Sequence, residues 1–121
     1  MDRRELENRT KTFNVRVIKF CNILPKTAAG YELAKQLIRA AGSVGANYRV
    51  TKRAKSDADF VNKLGIVLEE ADESHYWLEV IRDAEITITS QELEDLIKEA
   101  YELTAIFTAA ERTAKQNKRS K

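Results

Sequence analysis

The sequence contains few of the residues that interrupt helices. Among its 121 residues there are one proline and four glycines. Proline removes a backbone donor and glycine lowers helix propensity, so their scarcity favours a helical protein. Hydrophobic residues make up 43% of the chain, which is enough for one domain of this length to bury a core without disulfides. We therefore predict a single domain over residues 1–121.

Cysteine and long apolar runs are scarce too. Cys21 is the sole cysteine, which excludes a disulfide framework, and its apolar surroundings indicate a core residue. No segment approaches 18 consecutive apolar residues, so no membrane-spanning helix is predicted. Residues 1–11 are too highly charged for a secretion signal. We expect a soluble, cytoplasmic protein that makes no contact with membranes.

A single histidine restricts the chemistry that the chain can perform. Asp72 and His75 have the i, i+3 spacing of one di-iron element, but such a site needs a second element and two further acids. Ser74 and His75 are neighbours on a predicted helix, where adjacent side chains diverge. Residues 42–45, Gly-Ser-Val-Gly, lack the Lys-Ser/Thr of a phosphate-binding loop. We predict a non-enzymatic protein with no catalytic residue, metal or cofactor.

Four amphipathic segments predict an all-α fold. The first ends before Pro25, and the second runs from an N-cap at Thr27 to about Ala54. The third follows an N-cap at Ser56, and the fourth follows Thr89, whose partner in a capping box is Glu92. The predicted core stripe of the third helix is Phe60, Leu64, Val67, Ala71, Ser74, Leu78 and Ile81. Short links predict an antiparallel up-down-up-down four-helix bundle, with a basic, disordered tail at about 113–121.

The first helix is apolar on two sides. Phe13, Val17 and Phe20 form one stripe, and Val15 and Ile18 lie on the opposite side. A helix of this kind has two apolar neighbours. Either it is central in the domain, or its second side meets another subunit. The second alternative predicts a homo-oligomer, for which cyclic symmetry is the usual arrangement.

The second helix carries the pattern around which the chain is organised. Beside its apolar face lies a stripe that is basic at both ends and has small residues, Gly42 and Ala46, in the middle. Gly42 and Gly45 each cost about 1 kcal/mol of helix propensity relative to alanine. Close approach of another helix is the compensation we expect. A flat, basic stripe also allows a nucleic-acid backbone to come near.

Charge is distributed unevenly along the chain. Residues 1–55 contain 13 Lys or Arg and 4 Asp or Glu, whereas residues 56–111 contain 3 and 15. The basic and acidic helices either pair within the bundle or leave a basic surface exposed for nucleic acid. The predicted phosphate contacts are Lys35, Arg39, Arg49, Lys52 and Arg53, with RNA preferred over DNA as the partner. The alternative is a ring-shaped scaffold or adaptor that binds a protein partner and no nucleic acid.

Three stretches together carry a family resemblance. They are residues 43–49 (SVGANYR), 53–60 (RAKSDADF) and 69–79 (EEADESHYWLE). The sequence from about Phe13 to Phe107 resembles bacterial four-helix bundle proteins encoded by intervening sequences in large-subunit ribosomal RNA genes. These proteins are related to accessory proteins of diversity-generating retroelements.

The resemblance implies an antiparallel four-helix bundle that assembles into a ring, often a pentamer, without demonstrated enzymatic activity. In related bundles a basic ring surface engages RNA and a reverse transcriptase. The residues matching the family signature are Ser43, Asn47, Tyr48, Tyr76 and Trp77, for which a structural or interface role is implied. Many members have a glutamate where this chain has Val50.

Overall fold

A computed structural model describes residues 1–120, and it shows four helices joined by short links. Helix α1 spans Arg3–Cys21 and α2 spans Ala28–Val50, followed by a 3₁₀ turn at Thr51–Arg53. Helix α3 spans Asp57–Asp83 and α4 spans Gln91–Arg119. Each helix packs against the two that flank it in the order α1, α2, α3, α4. The predicted antiparallel four-helix bundle is confirmed. None of the helices in this described part is long and apolar enough to cross a membrane.

Two of the three predicted N-caps are confirmed. The hydroxyl of Thr27 accepts the backbone N–H of Gly30 at 3.1 Å, and that of Ser56 accepts the N–H of Asp59 at 3.0 Å. The third prediction was wrong by one residue, because Ser90, and not Thr89, caps α4. Both are good capping residues, so the sequence around them is ambiguous. Burial of Leu93, three residues after Ser90, sets the register of the helix.

The core lies along the inner faces of all four helices. The phenyl rings of Phe13 and Phe107 are among its largest fully buried side chains. The predicted stripe of α3 is confirmed except at its start, where Val61 is buried and Phe60 is half-buried. Phe60 lies in the first turn, where α3 begins at the end of the bundle and less of its surface is covered.

Helix α1 begins in the polar residues at the start of the chain, and α4 ends later than the sequence predicts. Residues 3–12 are helical, and Leu6 and Thr10 are buried. The predicted disordered tail at about 113–121 is helical through Arg119, because Ala114 reaches the core and Lys115 pairs with Glu111 one turn earlier at 3.2 Å. The final residue of that predicted tail, Lys121, lies outside the described residues.

Ion pairs join the basic helix α1 to the acidic first half of α4. The guanidinium of Arg9 donates to Glu99 at 2.6 Å and to Glu102 at 3.0 Å, and Arg16 donates to Glu92 at 2.9 Å. The hydrogen bond to Glu99 raises the pKa of Arg9. Part of the uneven charge in the sequence is therefore balanced within the bundle.

Candidate nucleic-acid interface

Gly42 and Gly45 of α2 face side chains of α1. A Cβ built on Gly45 would lie 3.3 Å from the hydroxyl oxygen of Thr10, and one on Gly42 would lie 3.6 Å from Oδ1 of Asn14. Thr10 is fully buried and donates its hydroxyl to backbone carbonyls of its own helix. The expected reason for the glycines, close helix–helix approach, is confirmed at Gly45.

A groove of about 420 Å³ follows this contact on the outer surface. Gly42 and Ala46 form its flat part on α2, and Lys11 borders it on α1. Arg49 and Lys52 line its far end. Because the small residues lower one wall, an extended ligand can come close to the helix backbone while three cations flank it.

The five predicted phosphate contacts differ in how they are held. Lys35, Arg49 and Arg53 are exposed, and none of them forms an ion pair within residues 1–120. The ammonium nitrogen of Lys52 lies 3.8 Å from a carboxylate oxygen of Glu7. Three of the five cations are therefore fully available to an anionic partner, and Lys52 is loosely engaged.

Arg39 is engaged within the bundle. Its guanidinium bonds to Glu70 at 3.1 Å and also to Glu73, both on α3. These bonds raise the pKa of Arg39. The indole N–H of Trp77 donates to Glu73 at 3.1 Å, and Trp77 and Arg39 together hold the pKa of this carboxyl below its usual value. A phosphate at Arg39 would have to compete with two carboxylates.

The groove also contains residues that the sequence did not indicate. Lys11 and Asn8 lie in the polar first turns of α1, which showed no helical stripe of their own. The close packing of α1 on α2 brings them opposite Arg49. Which residues of α1 lie opposite Arg49 depends on how the two helices pack together. The periodicity of apolar residues within one helix does not indicate its partners across the bundle.

The signature residues of α2 make contacts within the bundle. The amide nitrogen of Asn47 donates to the backbone oxygen of Ser43 at 2.8 Å, within the same helix. The ring of Tyr48 is buried, with its centroid 5.3 Å from that of Phe107. The guanidinium carbon of Arg3 lies 4.8 Å above it. Tyr48 therefore belongs to the core and presents no face for a nucleic-acid base.

The signature residues of α3 lie on the other side of the bundle from α1. Trp77 is half-buried against the core. The ring of Tyr76 meets that of Trp77 edge-on, with centroids 5.0 Å apart. Tyr76 is 57% exposed to solvent. Tyr76 is thus the exposed member of the signature.

Within the described residues, no group of three or more His, Cys, Asp or Glu is placed to hold a metal ion. Nδ1 of His75 lies 3.3 Å from Glu79, and the hydroxyl of Ser74 is donated to the backbone of Glu70. Burial raises the pKa of the Cys21 thiol to about 11, so the neutral thiol predominates near pH 7.

Comparison with known proteins decides the family. Residues 4–109 match the family model described as 23S rRNA-intervening sequence protein. The chain belongs to this family. It is also similar to a crystal structure of a protein of unknown function from the S23 ribosomal protein family of Bacteroides thetaiotaomicron VPI-5482. The identity is 31%, the match covers 93% of this chain and 99% of that chain, and the TM-score is 0.82. No curated protein matches the chain. The resemblance read from the sequence is thus confirmed.

Proposed function

We propose that this member of the 23S rRNA-intervening sequence protein family is a non-enzymatic, cytoplasmic RNA-binding protein that forms a cyclic homo-oligomer. The observation that carries the RNA-binding proposal is the contrast among its cations. Arg9, Arg16 and Arg39 are engaged by carboxylates of α3 and α4. Lys35 and Arg49, on the outer side of α2, face solvent.

Unpaired cations on one side of a helix favour a polyanion. Lys and Arg neutralise phosphates and release counterions, which gives affinity without reading sequence. The low wall at Gly42 and Ala46 lets the sugar–phosphate backbone reach Lys11 on one side and Arg49 on the other. The resemblance to bundles whose basic ring surface engages RNA favours RNA over DNA as the partner.

Charge reversal tests this proposal. Lys35→Glu combined with Arg49→Glu should weaken binding of a 20-nucleotide RNA and make log K less dependent on log salt. We expect the slope to fall by about 1.4 to 1.8, since each lost phosphate contact contributes about 0.7 to 0.9. Fluorescence anisotropy over a salt series measures both quantities, and circular dichroism verifies that the variant is folded.

The matched control is Lys26→Glu with Lys98→Glu, which makes the same charge change at two exposed positions away from the groove. This pair should bind RNA within about twofold of the unsubstituted chain, because Debye screening limits long-range effects. Equal losses in both pairs would show a response to net charge alone and would contradict a binding surface on α2. Absence of RNA binding at low salt would refute the function.

Oligomer formation is supported by the outer side of α1. Val15 is 42% and Ile18 is 41% exposed, and α1 occupies a corner of the bundle, so the alternative of a central helix does not apply. Ile38 of α2 is also exposed. We propose that a second copy of the chain covers these side chains, in a ring for which the family resemblance suggests five subunits.

The alternative function, a scaffold that binds a protein, is favoured by a different observation. The exposed ring of Tyr76 lies on α3 beside the acidic residues Asp72 and Glu73. Exposed aromatic side chains are frequent anchors in protein interfaces. If the chain binds no RNA, this surface is where a protein partner would be sought.

A further inference from the structure

The antiparallel topology brings basic residues from distant parts of the sequence to one end of the bundle. Helices α1 and α3 begin at this end, and α2 and α4 finish there. A hydrogen bond of 2.8 Å from Arg3 to the hydroxyl of Thr51 joins the start of α1 to the 3₁₀ turn. We name this region the basic end and define it by five residues. They are Lys52, Arg53, Lys55, Lys118 and Arg119.

The cations of the basic end are exposed. Within the described residues 1–120, Arg53, Lys118 and Arg119 form no ion pair. The opposite end of the bundle carries both signs, with Asp83 and Glu85 at the end of α3 and Lys19 in the last turn of α1. The exposed cations of the basic end therefore attract a polyanion to this end of the molecule.

A groove of about 400 Å³ lies at the basic end, between the first turn of α3 and the last turns of α4. Phe60 and Asn117 line it from the two helices. Phe60 is half-buried, so part of its ring faces the groove while the rest packs on the core. Asp57, also in the lining, lies in the first helical turn, where the positive end of the helix dipole offsets a carboxylate.

An aromatic ring for the bases together with cations along the path of the backbone is the combination by which proteins hold single strands. Phe60 lines the groove, and Lys118 follows Asn117 of its lining by one residue. Bases stack on the ring, and the backbone follows the positive charges. A duplex keeps its bases stacked on one another and would use the cations alone. A ring at Phe60 would therefore favour a single strand over a duplex, whereas cations at Lys118 and Arg119 would serve either form.

We propose that the basic end binds single-stranded RNA, with phosphates at Arg53, Lys118 and Arg119 and an unpaired base at Phe60. This inference rests on the proposed function. It extends the RNA path from the outer side of α2, across the 3₁₀ turn, to the end of α4, and it specifies the form of RNA that is recognised.

The test uses the full chain, a 20-nucleotide oligouridylate and an RNA duplex of the same length. Lys118→Glu with Arg119→Glu should lower the salt slope for the single strand by about 1.4, at about 0.7 per phosphate contact, and raise Kd about tenfold. The control is Lys19→Glu with Lys26→Glu, at the opposite end. Lys19 occupies the last turn of α1, so both pairs remove a favourable charge from a helix C-terminus.

A second variant, Phe60→Leu, keeps an apolar side chain on the core and removes the aromatic ring. Its affinity for the oligouridylate should fall about tenfold, while its affinity for the duplex should stay the same. Equal effects on both RNAs, or none on the single strand, would overturn the base contact. Circular dichroism establishes that each variant has the helical content of the unsubstituted chain.

The outcomes separate this inference from the function on which it rests. If Lys118→Glu with Arg119→Glu binds normally while Lys35→Glu with Arg49→Glu loses binding, the surface on α2 stands and the basic end is refuted. If the unsubstituted chain binds neither RNA at low salt, both proposals fail. Loss in the Lys118 and Arg119 variant with an unchanged Lys19 and Lys26 control supports the basic end.

Discussion

At the scale of single residues, Gly42 and Gly45 of α2 have different room for a methyl group. A Cβ on Gly42 would make ordinary contacts with the side chain of Asn14, at 3.6 to 3.9 Å. A Cβ on Gly45 would lie 3.3 Å from the hydroxyl and 3.5 Å from the backbone of Thr10. Gly42→Ala should therefore raise the free energy of unfolding by up to about 1 kcal/mol.

Gly45→Ala should gain nothing or lose stability, because the two hydrogen bonds of Thr10 hold its hydroxyl in place. Urea unfolding monitored by circular dichroism compares the two variants with the unsubstituted chain. An equal gain in stability in Gly42→Ala and Gly45→Ala would mean that α1 shifts to accommodate the added methyl group, contrary to the close packing described above.

Residue identity alone could not assign the partners of individual cations. Lys35 and Arg39 belong to the same sequence stripe, yet Arg39 reaches carboxylates of α3 and Lys35 faces solvent. Lys11 joins the groove only because α1 packs beside α2. The periodicity of α2 identified its exposed side, whereas the partners across helices depend on three-dimensional packing.

At the scale of elements, the end of α3 contains a left-handed residue that is not glycine. Glu85 has a φ of 54°. The N–H of Glu85 donates to the carbonyl of Arg82, and the N–H of Ile86 donates to the carbonyl of Ile81. These bonds form a Schellman motif, in which glycine is the usual residue at this position. Glu85→Gly should stabilise the protein by about 1 kcal/mol, because a side chain in this conformation costs about that much.

The measurement is the midpoint of urea unfolding, with Asp83→Gly as the control. Asp83 is in the last turn of the helix with an ordinary backbone, so glycine there should lower stability by about 0.5 to 1 kcal/mol. Loss of stability in Glu85→Gly would show that a contact of the Glu85 side chain outweighs its backbone strain.

The elements themselves were largely predictable, and their ends were less so. Helical spacing of apolar residues identified all four helices, since burial of one face imposes the period. The extension of α4 to Arg119 was missed because its last turns are mostly polar, and Ala114 alone reaches the core there. The Schellman turn at Glu85 could not be predicted, since no glycine marks it in the sequence.

At the scale of the whole molecule, the exposed apolar side of α1 is the surface on which the proposed oligomer can be tested. A single exposed aliphatic side chain is common on a protein surface. Val15 and Ile18, however, are both exposed and lie one turn apart on the same side of α1. If a second copy covers them, light scattering should give a mass that is a multiple of 13.8 kDa. A charge at this contact should dissociate the assembly, since an unpaired buried charge is costly.

Ile18→Glu should therefore yield a monomer of 13.8 kDa that keeps its helical circular dichroism. The matched substitution Ile88→Glu, in the link before α4 where the side chain is 89% exposed, should leave the mass unchanged. A monomeric unsubstituted chain would refute the oligomer and leave the proposed RNA surface on a single bundle. An assembly that survives Ile18→Glu would place the contact on another side of the bundle, such as the side of α3 that exposes Tyr76.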